Sequence, residues 1–251
     1  MPETDHRTQA ERAAEHCTND LQDAKLVVLR EEEVFRHVEF VAQKGLTRVI
    51  LVTWPYNLHV AGSHGSYHFE RYGDDSLDMF DWLRGIRPNP ASWASKLVNG
   101  RDSVEEYDQA KLVQEINERV AEAIADDWAP KGLRAAVQKQ VIDSGWLGDE
   151  QNAMRVVAGF EHGKTYRATC SCGETTDHAS YGDAVHWEVI THEGRGDDHQ
   201  VTIREASGFD FDGWEEWNVR SLTYHYLWAC HSAAWGIAQY DAAKAPAEVA
   251  A

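Results

Sequence analysis

The chain has 251 residues and a formal net charge of −18, from 42 acidic and 24 basic side chains. Sequence-independent affinity for nucleic acid comes from Lys and Arg displacing counterions, so the acid excess argues against a phosphate-binding surface. It leaves two readings: a carboxylate-rich face for a basic partner, or plain solvation. A hydrophobic fraction of 43% with 10 Trp supplies a core. No apolar run approaches the roughly 18 residues of a membrane span. The charged segment Met1–Ala14 has no apolar stretch of the secretory kind. The 4 cysteines, Cys17, Cys170, Cys172 and Cys230, are too few for a disulfide scaffold. A cytoplasmic, soluble protein is the expectation.

Residues 1–22 are polar without apolar period and are expected as a tail. Leu26, Val27, Val34, Val38 and Val41 recur at helical spacing, with Gly45 as a stop, and predict a helix. Thr47–Trp54 is β-branched and ends at Pro55, which predicts a buried strand. Asn57–Ala61 and Ser66–Glu70 flank Gly62-Ser63-His64-Gly65. A two-residue turn at Ser63-His64 pairs Leu58 with Phe69, Val60 with Tyr67 and His59 with His68. One face of that hairpin is then apolar, and the other carries Asn57, His59, His68 and Glu70.

Short helices are expected over Asp75–Arg84 and Ser92–Val98. A longer one enters through Asp102 or Ser103 and runs to about Asp127, with Leu112, Ile116, Val120 and Ile124 on one face. A further helix covers Gly132–Asp143, and several breakers place a boundary near Gly148. Asn152–Phe160 gives no clear signal. Thr165–Cys170 reads as a strand. Tyr181–Thr191 reads as a helix capped by Ser180, with Asp183 three residues on. Gln200–Arg204 alternates as a strand. The last element, Trp214 to about Ala243, is apolar on most of its circumference and is expected as a buried helix.

The expected fold is α+β: an N-terminal helix and a β-hairpin or meander with several helices, then a small zinc-finger-like ββα unit and a long buried C-terminal helix. The expected divisions are a tail at 1–22, an α+β domain at 23–148, the zinc-finger-like unit with the long helix at 149–243, and a tail at 244–251.

Four groups of residues bear on chemistry. Cys170-Ser171-Cys172-Gly173, His186 and His192 read C-x-C-x13-H-x5-H, close to the C-x2-4-C-x12-H-x3-5-H of a ββα finger. Two thiolates on a turn and two imidazoles on a helix suit tetrahedral Zn²⁺ in a closed, structural site. Six helical residues turn through about 600°, so His186 and His192 share a site only if the helix end unwinds, and His178, Cys230 or His231 are alternatives. His59, His68 and Glu70, with His64 at the turn, form a candidate two-His-one-carboxylate metal face. Asp74, Asp75, Asp78 and Asp81 are candidate Mg²⁺ carboxylates, although acids also gather at helix starts. Cys230-His231 are helical neighbours about 100° apart and are not a preassembled nucleophile–base pair.

Arg48-Val-Ile-Leu-Val-Thr-Trp-Pro55, the Cys170-Ser-Cys172-Gly turn with its later His, and Trp235-Gly-Ile-Ala-Gln-Tyr-Asp241 resemble segments of uncharacterised proteins of actinobacteria and their phages. The Cys-x-Cys-Gly…His unit resembles a small zinc-finger-like module in that group. The resemblance implies a metal site at Cys170, Cys172 and His192, with no activity attached and, for a phage product, a host-cytoplasmic setting.

Residues 161–198 carry 8 acids against 3 bases, which is unsuited to reading a DNA groove. The first reading is therefore a zinc-stapled accessory protein that binds a protein partner, without direct nucleic-acid or membrane binding. The alternatives are a metal-dependent enzyme on the His59/His68/Glu70 face, and an acidic nucleic-acid mimic that occupies a basic groove of a partner.

Overall fold

The structure is a computed structural model and describes residues 7–42, 47–72, 76–85, 87–191 and 200–245. The chain divides into two compact units, one made of residues 1–106 with 221–251 and the other of residues 107–220. The boundary expected near Gly148 falls inside the second unit. Helices and antiparallel sheets occur in both, an α+β architecture as expected.

The first unit begins with α1 (Gln9–Leu21), where a tail was expected. Thr8 and Glu11 form a capping box: the Thr8 hydroxyl accepts from the Glu11 N–H at 3.2 Å, and the Glu11 carboxylate accepts from the Thr8 N–H at 2.7 Å. Ala13, Cys17 and Leu21 are the buried residues of this helix. They stand four apart and give a stripe too narrow to lift the polar composition.

The helix expected around Leu26–Val41 is instead a β-hairpin, β1 (Lys25–Glu32) and β2 (Phe35–Val41); its expected stop, Gly45, lies outside the described residues. Valine-rich segments favour the pleated surface, and Glu33 takes the positive φ of 54° that the turn needs. Then come β3 (Arg48–Trp54), β4 (Asn57–Gly62) and β5 (Gly65–Glu70), and the sheet order is β1-β2-β3-β4-β5. The β4–β5 register is the expected one, with Leu58 opposite Phe69, His59 opposite His68 and Val60 opposite Tyr67. At Gly62 (φ 146°) a Cβ would stand 1.9 Å from the Arg48 carbonyl oxygen, so the turn admits only glycine.

α2 (Met79–Leu83) is capped by Asp78, and α3 (Pro90–Ala94) by Asn89; both are shorter than expected. Asp102 and Ser103 lie in a 3₁₀ turn, and the chain leaves the unit through β6 (Glu105–Tyr107).

In the second unit, α4 (Gln109–Ala125) starts at its cap Asp108. α5 (Leu133–Gln140) follows, and the segment without a clear signal is α6 (Glu150–Ala158). β7 (Glu161–Cys170), β8 (Thr175–His178), α7 (Tyr181–Thr191) and β9 (Val201–Asp210) make a three-stranded sheet in the order β8-β7-β9 with one helix. Leu112, Ile116, Val120, Leu133, Val137, Phe160, Phe209 and Phe211 are in its core.

The chain re-enters the first unit through β10 (Arg220–Leu222) and ends in α8 (Tyr224–Lys244), capped by Thr223. The helix therefore starts ten residues later than expected and reaches into the tail drawn at 244–251, of which 246–251 lie outside the described residues. α8 packs with α1 and against the sheet. Tyr226, Trp228, Cys230, Ala233, Ile237 and Tyr240 join Phe40, Leu51, Leu58, Phe69 and Phe80 in one core. Among the described residues no helix is long and apolar enough to cross a membrane.

The two edges of the five-stranded sheet differ. At β5 the following chain closes the edge: Glu70 N–H donates to the Lys96 carbonyl at 2.8 Å and Val98 N–H to the His68 carbonyl at 2.9 Å. At β1 the described residues supply no backbone partner on the side away from β2.

Candidate functional site

Cys170 ends β7 and is 2% exposed, whereas Cys172 stands exposed on the turn. The turn is held by its own backbone, Gly173 N–H donating to the Cys170 carbonyl and Cys170 N–H to the Glu174 carbonyl, both at 2.9 Å. Ser180 caps α7 as expected, accepting from the Asp183 N–H at 3.1 Å. The Asp183 carboxylate accepts back from the Ser180 hydroxyl at 2.8 Å rather than from its N–H.

His186 is exposed while Ala184 is fully buried. Two helical residues turn through about 200°, so the face that meets the sheet is opposite the one that carries His186. His178 lies near Trp187, ring centroids 6.0 Å apart, with its buried Nε2 unpartnered. His192 lies outside the described residues. Among the described residues no three His, Cys, Asp or Glu side chains are grouped so that they could hold a metal ion, so Cys170, Cys172 and His186 do not converge.

The histidine face of the hairpin is real, but its side chains are occupied. His68 Nε2 is 2.7 Å from the Asn57 amide oxygen, and His59 Nε2 is 3.1 Å from the Ser66 hydroxyl. The two rings lie 6.1 Å apart, and Trp54 covers His68 at 5.1 Å. Glu70 accepts from the Tyr72 hydroxyl and does not close a triad with them. Burial, then the neighbouring His68, depresses the pKa of His59.

Asp74 and Asp75 lie outside the described residues. Asp78 takes a bidentate pair from Arg36, both contacts 2.8 Å, and Asp81 pairs with Arg84. These carboxylates are thus committed to guanidinium groups rather than to a metal ion. Arg36 also lies over the Phe80 ring at 4.9 Å, tying β2 to α2. Burial pushes the Cys230 thiol up and the His231 imidazole down, the reverse of an activated pair.

A histidine–aromatic cluster escaped the sequence reading because its members come from three distant segments. His64, on the β4–β5 turn, lies against Trp228 with ring centroids 4.1 Å apart and the planes tilted by 35°, and its ring is 5.3 Å from that of His225. His16 Nδ1 is 2.7 Å from the Tyr224 hydroxyl, and the Trp228 indole N–H donates to Asp20 at 3.2 Å. Burial lowers the pKa of His64, His225 adds to that, and Asp20 opposes it.

The β1–β2 hairpin leaves a cluster of apolar side chains exposed. Val27, Val28, Leu29, Phe35 and Val41 are 39–56% exposed, five of the fourteen large exposed apolar side chains among the described residues. Val27, Val28 and Leu29 lie on β1, whose outer edge has no backbone partner among the described residues. Valines on an edge were visible in the sequence, but the helical reading hid them.

No family model, no curated protein and no solved structure matches the chain.

Proposed function

We propose that this chain works by binding a protein partner, and that the contact is made on the β1–β2 rim of its five-stranded sheet. One observation carries the reading: a full strand of eight residues has exposed Val27, Val28 and Leu29 together with a backbone edge that has no partner among the described residues. Such an edge is a template for strand addition, and proteins normally cover or charge it. The other edge of the same sheet, β5, is covered by the segment Lys96–Val98.

The competing readings have less support. An enzyme on the His59/His68/Glu70 face would need its imidazole nitrogens free, and both Nε2 atoms already have partners. A nucleic-acid mimic would need rows of carboxylates on one face, whereas Glu39, Asp78, Asp81, Glu105, Glu150, Asp177, Asp210 and Asp241 are drawn into ion pairs spread over both units. The protein-binding reading requires no metal.

The test uses the full chain as tagged bait, with untagged chain and cell extract offered together. Retained proteins are purified and their affinities measured. Leu29→Lys on the rim is expected to weaken retention at least about tenfold, while Ile190→Lys, on an exposed residue of the second unit, leaves it unchanged. Retention indifferent to Leu29→Lys would overturn the reading.

A further inference from the structure

We infer that the occupant of the open edge is a second copy of this chain, the two β1 strands pairing antiparallel about a twofold axis. The inference rests on the contact surface proposed above and names its partner. It follows from a β-bulge in β1 and from the charges at the strand ends.

A twofold axis normal to a sheet keeps every side chain on its own face. Residues that meet across such a seam must therefore share a face, and in a regular strand only pairs with an even number sum do so. β1 is not regular. Val27 pairs with Glu39 and Val28 with Val38, but Arg30 pairs with His37, so Leu29 is an extra residue. Val38 and Arg36 are buried on the helix side, and His37 and Glu39 belong to the opposite face. Leu26, Val28 and Glu31 therefore share the helix side, while Lys25, Val27, Arg30 and Glu32 share the outer side. The extra residue inverts the parity for every pair that spans it. Face-matched self-pairing thus demands an odd sum.

Among odd sums, 57 engages all eight residues from Lys25 to Glu32. It places Lys25 opposite Glu32 and Val27 opposite Arg30 on the outer face. Leu26 then meets Glu31 on the helix side, and Val28 meets Leu29 at the centre. Opposite charges meet twice, once on each side of the axis, and the exposed apolar pair is covered at the seam. A sum of 55 instead sets Lys25 against Arg30, a like-charge pair. The bulge that blunts a strand against promiscuous partners here admits one complementary strand, its own copy. Glu32 at present pairs with Arg30 of the same strand at 2.7 Å, a contact exposed enough to exchange.

Sedimentation of the full chain at about 0.15 M salt tests this, since the Debye length of about 8 Å then screens the repulsion between two acidic copies. The mass is expected to double with concentration, with dissociation in the micromolar range given the small seam. Leu29→Lys is expected to keep the chain monomeric. Lys25→Glu and Glu32→Lys each create two like-charge contacts per dimer and are expected to weaken it about tenfold. The double variant restores opposite charges and is expected to return within about threefold of the original. Hydrogen exchange confirms that each variant is folded. A chain that stays monomeric at about 100 µM, or a dimer that ignores Leu29→Lys, or a double variant no better than the singles, overturns the inference. A monomer that still loses a captured partner on Leu29→Lys overturns the self-pairing alone and leaves the rim as the contact surface. A chain indifferent to Leu29→Lys in both assays overturns both.

Discussion

Gly236→Ala offers a sign test of the packing between α8 and the sheet. By helix propensity alone, alanine should stabilise an interior helical position by about 1 kcal/mol. The neighbours predict the opposite. A Cβ at Gly236 would stand 2.8 Å from Cε2 and 3.3 Å from Cδ2 of Phe40, and 3.1 Å from Cδ1 of Leu51. Carbon atoms prefer about 3.5–4.0 Å, so the Phe40 ring must retreat by roughly 1 Å. It has nowhere to go: Phe40 and Leu51 are both 0% exposed, and Trp235 meets the ring edge-on with centroids 5.2 Å apart. Overpacking of a well-packed core costs about 1–3 kcal/mol, and a ring hemmed in on every side belongs at the upper end, which leaves a net loss of about 1–2 kcal/mol after the propensity gain. Because two units can unfold separately, the measurement is urea-dependent hydrogen exchange of the α8 amides, which reports the first unit alone. Ala238→Gly, at an exposed position of the same helix, calibrates propensity and should cost about 1 kcal/mol. Stabilisation by Gly236→Ala would refute the close approach of α8 to β2 and β3.

Three further outcomes are expected. His59, His64 and His231 are held below the ordinary value of 6.5, mainly by burial. The unfolded chain then binds protons more readily, so their contribution is complete above pH 6.5 and is lost as pH falls through the depressed folded values. Thermal unfolding of the first unit should drop between pH 6.5 and about 5, and His231→Gln should flatten that slope; a rise on acidification would contradict the burial. A thiol reagent at about pH 8 should label Cys172 at once, while Cys17, pushed up to about 12 by burial and Asp20, reacts slowly with Cys170 and Cys230. A Cys172 that reacts only after a chelator is added would instead reveal a bound metal. Asp78→Ala should cost about 3 kcal/mol by stranding Arg36, and Arg36→Met with Asp78→Leu should recover most of it. A double-variant loss equal to the sum of the two single-variant losses, read by hydrogen exchange, would show that the pair acts independently.

The β4–β5 hairpin was legible because one register satisfied two alternations and the turn chemistry together. β1–β2 was not, since Leu26, Val27, Val34, Val38 and Val41 fit a helical period as well as a pleat. The exposed edge spoils the alternation by keeping apolar residues on both faces. α1 carried a readable capping box, Thr8 to Glu11, but its buried stripe is only three residues deep. α6 has just Ala153 and Val157 fully buried, which is too little apolar signal for a nine-residue element. Of the expected metal ligands, Cys170 and Cys172 do flank one turn, but letter spacing did not specify the helix rotation that sends His186 outward. The His16–His64–His225 cluster depends on contacts spanning 208 residues for His16 and Tyr224, a separation over which spacing rules carry nothing.

The interruption of the first unit by residues 107–220 has a consequence for the order of synthesis. The sheet and α1 leave the ribosome early, yet the helix that shields Phe40, Leu51 and Leu58 is the last element made. At about 5–20 residues per second, the roughly 170 residues between β5 and the end of α8 keep that apolar surface bare for about 9–35 s. The second unit has all its residues in line and can finish folding during this wait. The core of the first unit is therefore closed by α8 only after the intervening unit has been made.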